Sequence, residues 1–367
     1  MPKKLPKPSA ALSDRWFAKE LKGETPPSFT TMEKLYGLAC DLYGLHPWRL
    51  LNESQLILVR DSISGETCYC SVMGALGEVY SVHVYIGTES FRLYRRMEAE
   101  EITDPGEFFA SQRGVSVEFV PKTELEQPDR ELLSAMKHPQ GRGVASPIFR
   151  AIRPGFLPWF VTEAEAQTLT ECLRAVIAAC SSVVSQKSAS YWKRKDTYPI
   201  VSCIEGNGRQ FKVDLVKAIL PAEPPVAPVQ LDDETLRQLR SQDYAVQGVM
   251  ELDHLLSGAT IGKKSERPSF AAIALALDAK TGIVYAPEIT DSSVAVGEAL
   301  ARVFLKTVQD NRTLPKEVRV RSQKLKDSLA PLMEAIDVSV RVVSQLPAAD
   351  EARAGLLGFL QAGFGDR

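Results

Sequence analysis

The chain has 367 residues, of which 44% are apolar and 25% are charged. Its 44 Lys and Arg residues nearly balance its 46 Asp and Glu residues, which leaves a formal net charge of −2. This composition is ordinary for a globular protein and excludes a strong overall attraction to nucleic acid, membrane surfaces or acidic substrates. The length exceeds what one hydrophobic core usually organises, so we expect two domains.

The N-terminal stretch MPKKLPKPSAALSDRWF is basic and rich in proline. We interpret residues 1–26 as a flexible basic arm, because they show no clear periodicity. No apolar run follows that resembles a signal peptide, and no segment approaches the roughly 18 apolar residues of a membrane span. The sequence therefore predicts a cytoplasmic protein without a membrane partner.

Residues 27–218 have the pattern of an α+β domain with an antiparallel sheet. A helix near Thr31 precedes three short runs, SQLILVRD, TCYCSVMG and VYSVHVYIG, which are separated by turns that contain Gly. This alternation is typical of an antiparallel meander. Farther along, Thr162 and Glu165 have the spacing of a capping box at the start of a long helix. No motif in this region indicates its role.

Residues 219–232 are predicted to be a linker, since PAEPPVAPV contains four prolines in nine residues and proline favours extended connectors. Residues 233–367 then form the second domain. Its patterns give the order β-β-β-α-β-α-β-α, beginning with VQGVMELDHLL and the hairpin FAAIALALDAKTGIVYAPEIT. That order predicts an α/β domain with a mixed sheet, antiparallel strands first and parallel crossovers afterwards.

This order, with an acid at the end of FAAIALALD, resembles the ribonuclease-H and retroviral-integrase superfamily. The resemblance covers about Ala245 to Gln361 and implies a mixed sheet of ribonuclease-H-like topology. In that superfamily, acids from the first strand, a middle strand or nearby helix, and a late helix converge on two divalent metal ions. Clustered carboxylates can hold such ions about 4 Å apart, where one activates water and the other stabilises the leaving oxygen.

The resemblance implies that Asp278 supplies the first acid and that Asp350 or Glu351 supplies the late acid. Ser322 stands where integrases carry an Asp, and it is more simply interpreted as a helix N-cap. Glu298 can replace that acid in the ribonuclease-H manner or be a solvated helix residue. The implied catalytic set is Asp278, Glu298 and Glu351, with Mg²⁺ or Mn²⁺ held by Asp278 and Glu351. Asp278 also has a simpler interpretation as a turn residue in LDAKTGIVY.

Over its whole length, the chain resembles a family of bacterial two-domain proteins with no assigned activity. The resemblance rests on HPWRLL, YCSVMGALGEVYSVHVYIG and RPGFLPWFVTEAEA in the first domain and on ERPSFAAIALALD in the second. It implies a bacterial source and two domains of unknown function.

Two basic stretches are candidates for contact with nucleic acid. YWKRKDTY mixes aromatic and basic residues, which can stack on bases and neutralise phosphate, although a solvated loop has the same composition. IGKKSERP precedes the strand that ends at Asp278 and can line a groove beside it. The candidate nucleic-acid-binding residues are Lys193, Arg194, Lys195, Lys263, Lys264 and Arg267.

The sequence leaves two classes of function open. The first is a non-catalytic binding or adaptor protein for nucleic acid or another protein, with a degenerate ribonuclease-H-like domain, since Ser322 replaces an expected acid. The alternative is a two-metal nuclease that cleaves phosphodiesters. The nuclease requires its three carboxylates to lie within bridging distance of two metal ions.

Overall fold

Two compact units divide the chain. The first contains the residues up to Pro221 together with Gly262–Pro268, and the second contains Ala222–Ile261 and the residues from Ser269 onward. No helix in the part of the chain that the structure describes is long and apolar enough to cross a membrane. The computed structural model describes residues 15–102, 105–139, 145–185, 192–204, 210–223, 225–230, 232–262, 266–285, 287–291 and 294–364.

The first unit is built on a seven-stranded sheet. Its strands are β1 (Ile57–Arg60), β2 (Thr67–Met73), β3 (Tyr80–Ile86), β4 (Gly114–Val120), β5 (Ser146–Ile152), β6 (Thr197–Ile204) and β7 (Gln210–Lys217). They lie in the order β5-β4-β3-β2-β1-β6-β7. All neighbours run antiparallel except β1 and β6, which are parallel. The sheet is thus largely antiparallel, and the three strands of the predicted meander are neighbours in it.

Helices cover both faces of this sheet. They are α1 (Phe29–Leu45), α2 (Gly87–Glu98), α3 (Pro105–Ser111), α4 (Gln127–Ala135) and α5 (Glu163–Ser185). The apolar faces of α1 and α5 share the largest core with one side of the sheet, and α2 contributes aromatic rings to a smaller core. The predicted capping box of α5 is confirmed, because Thr162 N donates to Glu165 Oε2 at 2.9 Å and Glu165 N donates to Thr162 Oγ1 at 3.4 Å.

The segment 15–26, predicted as part of a flexible arm, is instead packed against the first unit. Trp16, Phe17 and Leu21 are buried in the largest core, and the Phe17 ring stacks on Phe160 with centroids 4.7 Å apart. Burying three large apolar side chains offsets the conformational entropy lost when the segment is ordered. Residues 1–14 of the predicted arm lie outside the described part of the chain.

The second unit contains a five-stranded mixed sheet and a separate two-stranded one. The strands are β8 (Ala245–Val246), β9 (Val249–Ile261), β10 (Ser269–Asp278), β11 (Glu288–Thr290), β12 (Thr313–Leu314), β13 (Glu317–Val320) and β14 (Ser339–Val342). The larger sheet has the order β11-β10-β9-β13-β14, and β8 pairs with β12. β10 runs antiparallel to both β9 and β11, whereas β13 is parallel to β9 and β14. The mixed sheet is the kind that the element order predicts.

Helices pack on opposite faces of the larger sheet. They are α6 (Asp233–Ser241), α7 (Val296–Asn311), α8 (Gln323–Ala335) and α9 (Pro347–Phe364). Successive side chains of a strand point to opposite faces. Ala274 and Ala276 of β10 accordingly share a core with α7 and α8, while Leu275 and Leu277 share another with the start of α9. This alternation decides which face each candidate acid reaches.

Candidate functional site

Asp278 closes a tight turn at the end of β10. Its Oδ1 accepts hydrogen bonds from Lys280 N at 3.0 Å, Thr281 N at 2.7 Å and Thr281 Oγ1 at 2.8 Å. These bonds, above all the one from the Thr281 backbone, lower the pKa of Asp278 below its ordinary value because they stabilise the carboxylate. The geometry is that of a turn residue whose side chain holds the local backbone.

Glu298 lies far from Asp278 along the same side of the sheet. Asp278 lines a cavity of about 30 Å³ together with Thr307 and Asn311, near the end of α7. Glu298 is in the first turn of that helix, nine residues before Thr307, which corresponds to about 13 Å along the helix axis. Its exposed carboxylate pairs with Arg302 at 3.0 Å. A metal ion bridging Asp278 and Glu298 does not fit this separation.

Glu351 lies on the opposite side of the sheet. It belongs to α9, whose first residues pack with Leu275 and Leu277, and its side chain is exposed. Asp278 follows Leu277, so its side chain points to the α7 side instead. The structure therefore does not bring Asp278, Glu298 and Glu351 together. Ser322 caps α8, as predicted, by accepting a hydrogen bond from Leu325 N at 3.3 Å.

The three basic residues Lys193, Arg194 and Lys195 are exposed in the loop before β6. Their aromatic neighbour Trp192 is half-buried against the cores of the first unit, and its Nε1 donates to Leu56 O at 3.0 Å. Its ring is thus engaged in packing. Among the described residues, the loop offers positive charge to a partner, while Trp192 and Tyr198 pack against the cores of the first unit. Tyr191 lies outside the described residues.

Arg267 is buried in the first unit, with 8% of its surface exposed. Its guanidinium lies between two carboxylates, 3.5 Å from Glu24 and 3.6 Å from Glu165. Burial lowers the pKa of Arg267 from its ordinary value. These contacts leave the side chain facing protein carboxylates and not a solvent-filled groove. Lys263 and Lys264 lie outside the described residues.

A different group of charged residues converges on the α9 side of the second sheet. Glu251 and Asp253 are two residues apart on β9, so their side chains point to the same face. They are almost completely buried, with 0% and 2% of their surfaces exposed. Carboxylates are rarely buried without a partner. We call this group, comprising Glu251, Asp253, Arg321, Asp350 and Arg353, the acid–arginine cluster.

Asp253 is bound by two guanidinium groups. Arg321 donates from Nε to Oδ1 at 2.9 Å and from Nη2 to Oδ2 at 3.0 Å, which is the bidentate geometry favoured by arginine and carboxylate. Arg353 Nη2 donates to the same Oδ2 at 3.2 Å. The hydrogen bonds that Arg321 donates to the Asp253 carboxylate raise the pKa of Arg321 above its ordinary value. Both oxygens of Asp253 are therefore occupied by protein donors.

The first turn of α9 completes the cluster. Asp350 accepts from Arg321 Nη2 at 2.7 Å and from Leu346 N at 3.3 Å. Glu251 Oε2 accepts from Ala349 N at 2.9 Å, close to the N-terminus of the helix, where backbone N–H groups and the helix dipole favour negative charge. Its Oε1 is buried and has no hydrogen-bond partner among the described residues.

The acid–arginine cluster does not suit a divalent metal ion. A hard cation needs free carboxylate oxygens, but Arg321 and Arg353 occupy both oxygens of Asp253. Within the described ranges, no group of three or more His, Cys, Asp or Glu residues is arranged to hold a metal ion. The arrangement instead joins β9, the end of β13 and α9 through hydrogen-bonded ion pairs.

Sequence reasoning missed the acid–arginine cluster, although one signal was present. The run VMELDHLL places Glu251, Asp253 and Leu255 on one face of a strand. The apolar Leu255 indicates that this face of the strand is buried, and two buried carboxylates beside it require hydrogen-bond donors from elsewhere in the chain. Arg321 lies in the run EVRVRS, which the sequence predicts as a strand, and Arg353 lies in the last predicted helix, so both were available candidates.

Comparison with known proteins gives one match in each unit. Residues 33–199 match the model of a domain of unknown function (DUF7309), and residues 235–357 match the model of another domain of unknown function (DUF6930). Neither the curated proteins nor the solved structures give a match. The matches are consistent with a chain of two domains and name no activity for either.

Proposed function

We propose that the chain is a non-catalytic binding protein whose second domain is a ribonuclease-H-like module with a degenerate acidic site. The observation that carries the proposal is the pair of guanidinium groups on Asp253. Arg321 and Arg353 supply the positive charge that a nuclease of this class would take from metal ions. Without bound metal ions, the site has no means to activate water or to stabilise a leaving phosphate oxygen.

The topology of the second unit's larger sheet supports its likeness to the ribonuclease-H superfamily. Numbered along the chain, its five strands lie in the order third, second, first, fourth, fifth. The first three are antiparallel neighbours, and the fourth and fifth run parallel to the first. Because one fold hosts many functions, this order supports the architecture and does not by itself indicate catalysis.

The positions of the charged residues support the loss of catalysis. Asp253 lies on the first strand of the sheet and Asp350 on the late helix, the two elements from which the superfamily draws acids. Arg321 directly follows the fourth strand and comes one residue before Ser322, which stands where integrases carry an Asp. A cationic side chain thus lies between the two acids that would otherwise face a metal ion.

Exposed apolar side chains favour a protein as the partner of the second domain. In the connection after β10, Ile283 is 57% exposed and Val284 and Tyr285 are also exposed, and Ile289 of β11 is 66% exposed. Grouped exposed apolar residues are typical of protein interaction sites. A net charge of −2 gives no general attraction to phosphate, although the exposed loop residues 193–195 remain a candidate contact for nucleic acid.

A gel time-course tests the absence of catalysis. Labelled single- and double-stranded DNA and RNA are incubated with the full chain in Mg²⁺ or Mn²⁺, beside a chelator control and the variants Asp253→Asn and Asp278→Ala. We expect uncut strands in every lane. Metal-dependent cleavage that is lost in either variant would contradict the proposal. Salt-sensitive retardation of an uncut strand would identify nucleic acid as the partner.

A second experiment tests the choice of a protein partner. The wild-type chain and the variant Ile289→Lys are used as bait for cross-linking in cells, with Ile63→Lys as the matched control because Ile63 is 49% exposed in the first unit. We expect Ile289→Lys to lose a specific cross-linked protein that Ile63→Lys retains. The same cross-links in all three samples would contradict a role for this surface.

A further inference from the structure

A cleft of about 600 Å³ opens on the first unit. Its size lies in the range of sites for small molecules, which usually combine aromatic walls with a few polar groups. The cleft lies where the short helical turn 47–49 and the turn between β2 and β3 face each other. Its lining includes Trp48, Arg49, Asn52, Gln55, Gly74 and Tyr80.

Two aromatic side chains form one wall of this cleft. The rings of Trp48 and Tyr80 lie with centroids 4.5 Å apart and planes inclined by 32°. Behind them, Trp48 contacts the rings of Tyr43 and Phe119, with centroids 5.5 and 6.0 Å away. Such packing fixes the orientation of the wall before any ligand binds. A fixed aromatic surface favours a flat, ring-containing ligand.

The part of the cleft next to the aromatic wall depends on Gly74. This residue has a φ of +125°, and a Cβ added there would lie 2.7 Å from Tyr80 Cδ1 and 2.9 Å from Val79 O. Only glycine allows the turn 74–77 to approach the aromatic wall so closely. The shape of the cleft is therefore built into the backbone.

Among the residues that the structure describes, Arg49 is the only charged one that lines the cleft. Its side chain is exposed and has neither an ion pair nor a hydrogen bond among the described residues. Asn52 and Gln55 are partly engaged with each other, since Asn52 N donates to Gln55 Oε1 at 3.0 Å. The strongest available donor is thus a guanidinium, which recognises carboxylate and phosphate groups in a bidentate manner.

We propose that this cleft binds a small anion that carries a planar aromatic ring. The ring packs against the half-buried Tyr80, which the buried Trp48 supports from behind, and the guanidinium of Arg49 donates to the anionic group. Nucleoside monophosphates and aromatic carboxylates share this chemistry and are the two sources of such a ligand. The proposal concerns the first unit and does not depend on the role of the acid–arginine cluster.

Calorimetric titration of the full chain with four probes tests the proposed chemistry. AMP represents the nucleotides and 2-naphthoate the aromatic carboxylates, while adenosine lacks the anion and inorganic phosphate lacks the ring. We expect AMP or 2-naphthoate to bind saturably, and adenosine and phosphate to bind at least about tenfold more weakly. Whichever of AMP and 2-naphthoate binds more tightly shows whether the ligand is a nucleotide or an aromatic carboxylate. If neither saturates at about 1 mM, the proposal is wrong.

Variants separate binding in the cleft from binding elsewhere. Arg49→Ala is expected to weaken the binding of the aromatic anion at least about tenfold. Arg130→Ala is the matched control, because Arg130 is an exposed arginine on α4 outside the cleft lining, and it should leave the affinity unchanged. Equal affinities for the two variants would overturn the proposal. Circular dichroism confirms that both variants are folded before titration.

Discussion

Asp253 shows how one buried charge can decide the role of its surroundings. A carboxylate with 2% exposure is costly to bury, and its attraction to Arg321 and Arg353 offsets that cost only while both donors are in place. The guanidinium groups that offset the cost of burial also occupy both carboxylate oxygens that a metal ion would need as ligands. The ion pairs that stabilise buried Asp253 are therefore incompatible with metal binding by this carboxylate.

Removing Arg321 is therefore expected to destabilise the second unit. Arg321→Ala leaves Asp253 with only Arg353 and should lower the free energy of unfolding by about 2–4 kcal/mol. Arg319→Ala is the control, because Arg319 pairs with the partly exposed Glu317 on the same strand and should cost less than about 1 kcal/mol. Urea unfolding measures both changes. A cost for Arg321→Ala no larger than that for Arg319→Ala would contradict a structural role of the acid–arginine cluster.

His83 gives a prediction for the dependence of stability on pH. Burial among closely packed neighbours lowers the pKa of His83 to about 4 in the folded chain, whereas an unfolded chain has the ordinary value near 6.5. Between these values the unfolded state binds a proton that the folded state does not, so stability falls as pH decreases through this window. The difference corresponds to on the order of 3 kcal/mol.

The comparison of His83→Gln with the wild type isolates this contribution. The free energy of unfolding is measured for both proteins from pH 7 to pH 4, and the wild-type value minus the variant value is plotted against pH. We expect that difference to fall as the pH is lowered, because only the wild type carries the buried imidazole. A difference independent of pH would show that His83 titrates alike in the folded and unfolded states.

At the scale of elements, the contact between α7 and α8 depends on a residue without a side chain. A Cβ on Gly297 would overlap Ser328 Oγ and lie 3.1 Å from Ser328 Cβ and 3.4 Å from Val229 Cγ2. Ser328 has little freedom to move, since it is buried and its Oγ donates to Ala227 O at 3.2 Å. The helices can pack at this distance only because position 297 is glycine.

Gly297→Ala is expected to destabilise the chain by about 1–3 kcal/mol through overpacking, despite the better helix propensity of alanine. Gly355→Ala is the matched control, because a Cβ at Gly355 of α9 meets no atom of a described residue within 4 Å. It should be neutral or stabilise by up to about 1 kcal/mol. Thermal or urea unfolding compares the two. The same sign of change for both would contradict the close contact between α7 and α8.

The elements themselves were largely predictable from the sequence, because their signals are local. Two helix starts are indicated by capping residues whose hydrogen bonds lie within one turn, namely Thr162 with Glu165 at α5 and Ser322 at α8. The convergence of acids was not predictable in this way. Asp278 ends β10, which is the second strand of the sheet, and its side chain lies on the α7 side. The central strand is β9, which pairs with both β10 and β13 and carries Glu251 and Asp253. These pairings join residues that are far apart in the sequence, so no local pattern reveals them.

At the scale of the whole molecule, composition indicated two units but not every residue that belongs to each. The segment Gly262–Pro268 connects β9 and β10 of the second unit, yet it belongs to the first. Arg267 in this segment pairs with Glu24 and Glu165, which are far from it in the sequence. A basic stretch can thus be a buried ion-pair partner, and no local pattern distinguishes that role from contact with nucleic acid.

We propose that arginines take the place of metal ions in the acid–arginine cluster. Calorimetric titration of the full chain with Mn²⁺, beside the variant Asp253→Asn, tests it most directly. We predict no saturable binding of Mn²⁺ to the wild type at up to about 1 mM, and an identical trace for the variant. Saturable binding that disappears in Asp253→Asn would show that Asp253 is free to coordinate a metal ion and would contradict the claim.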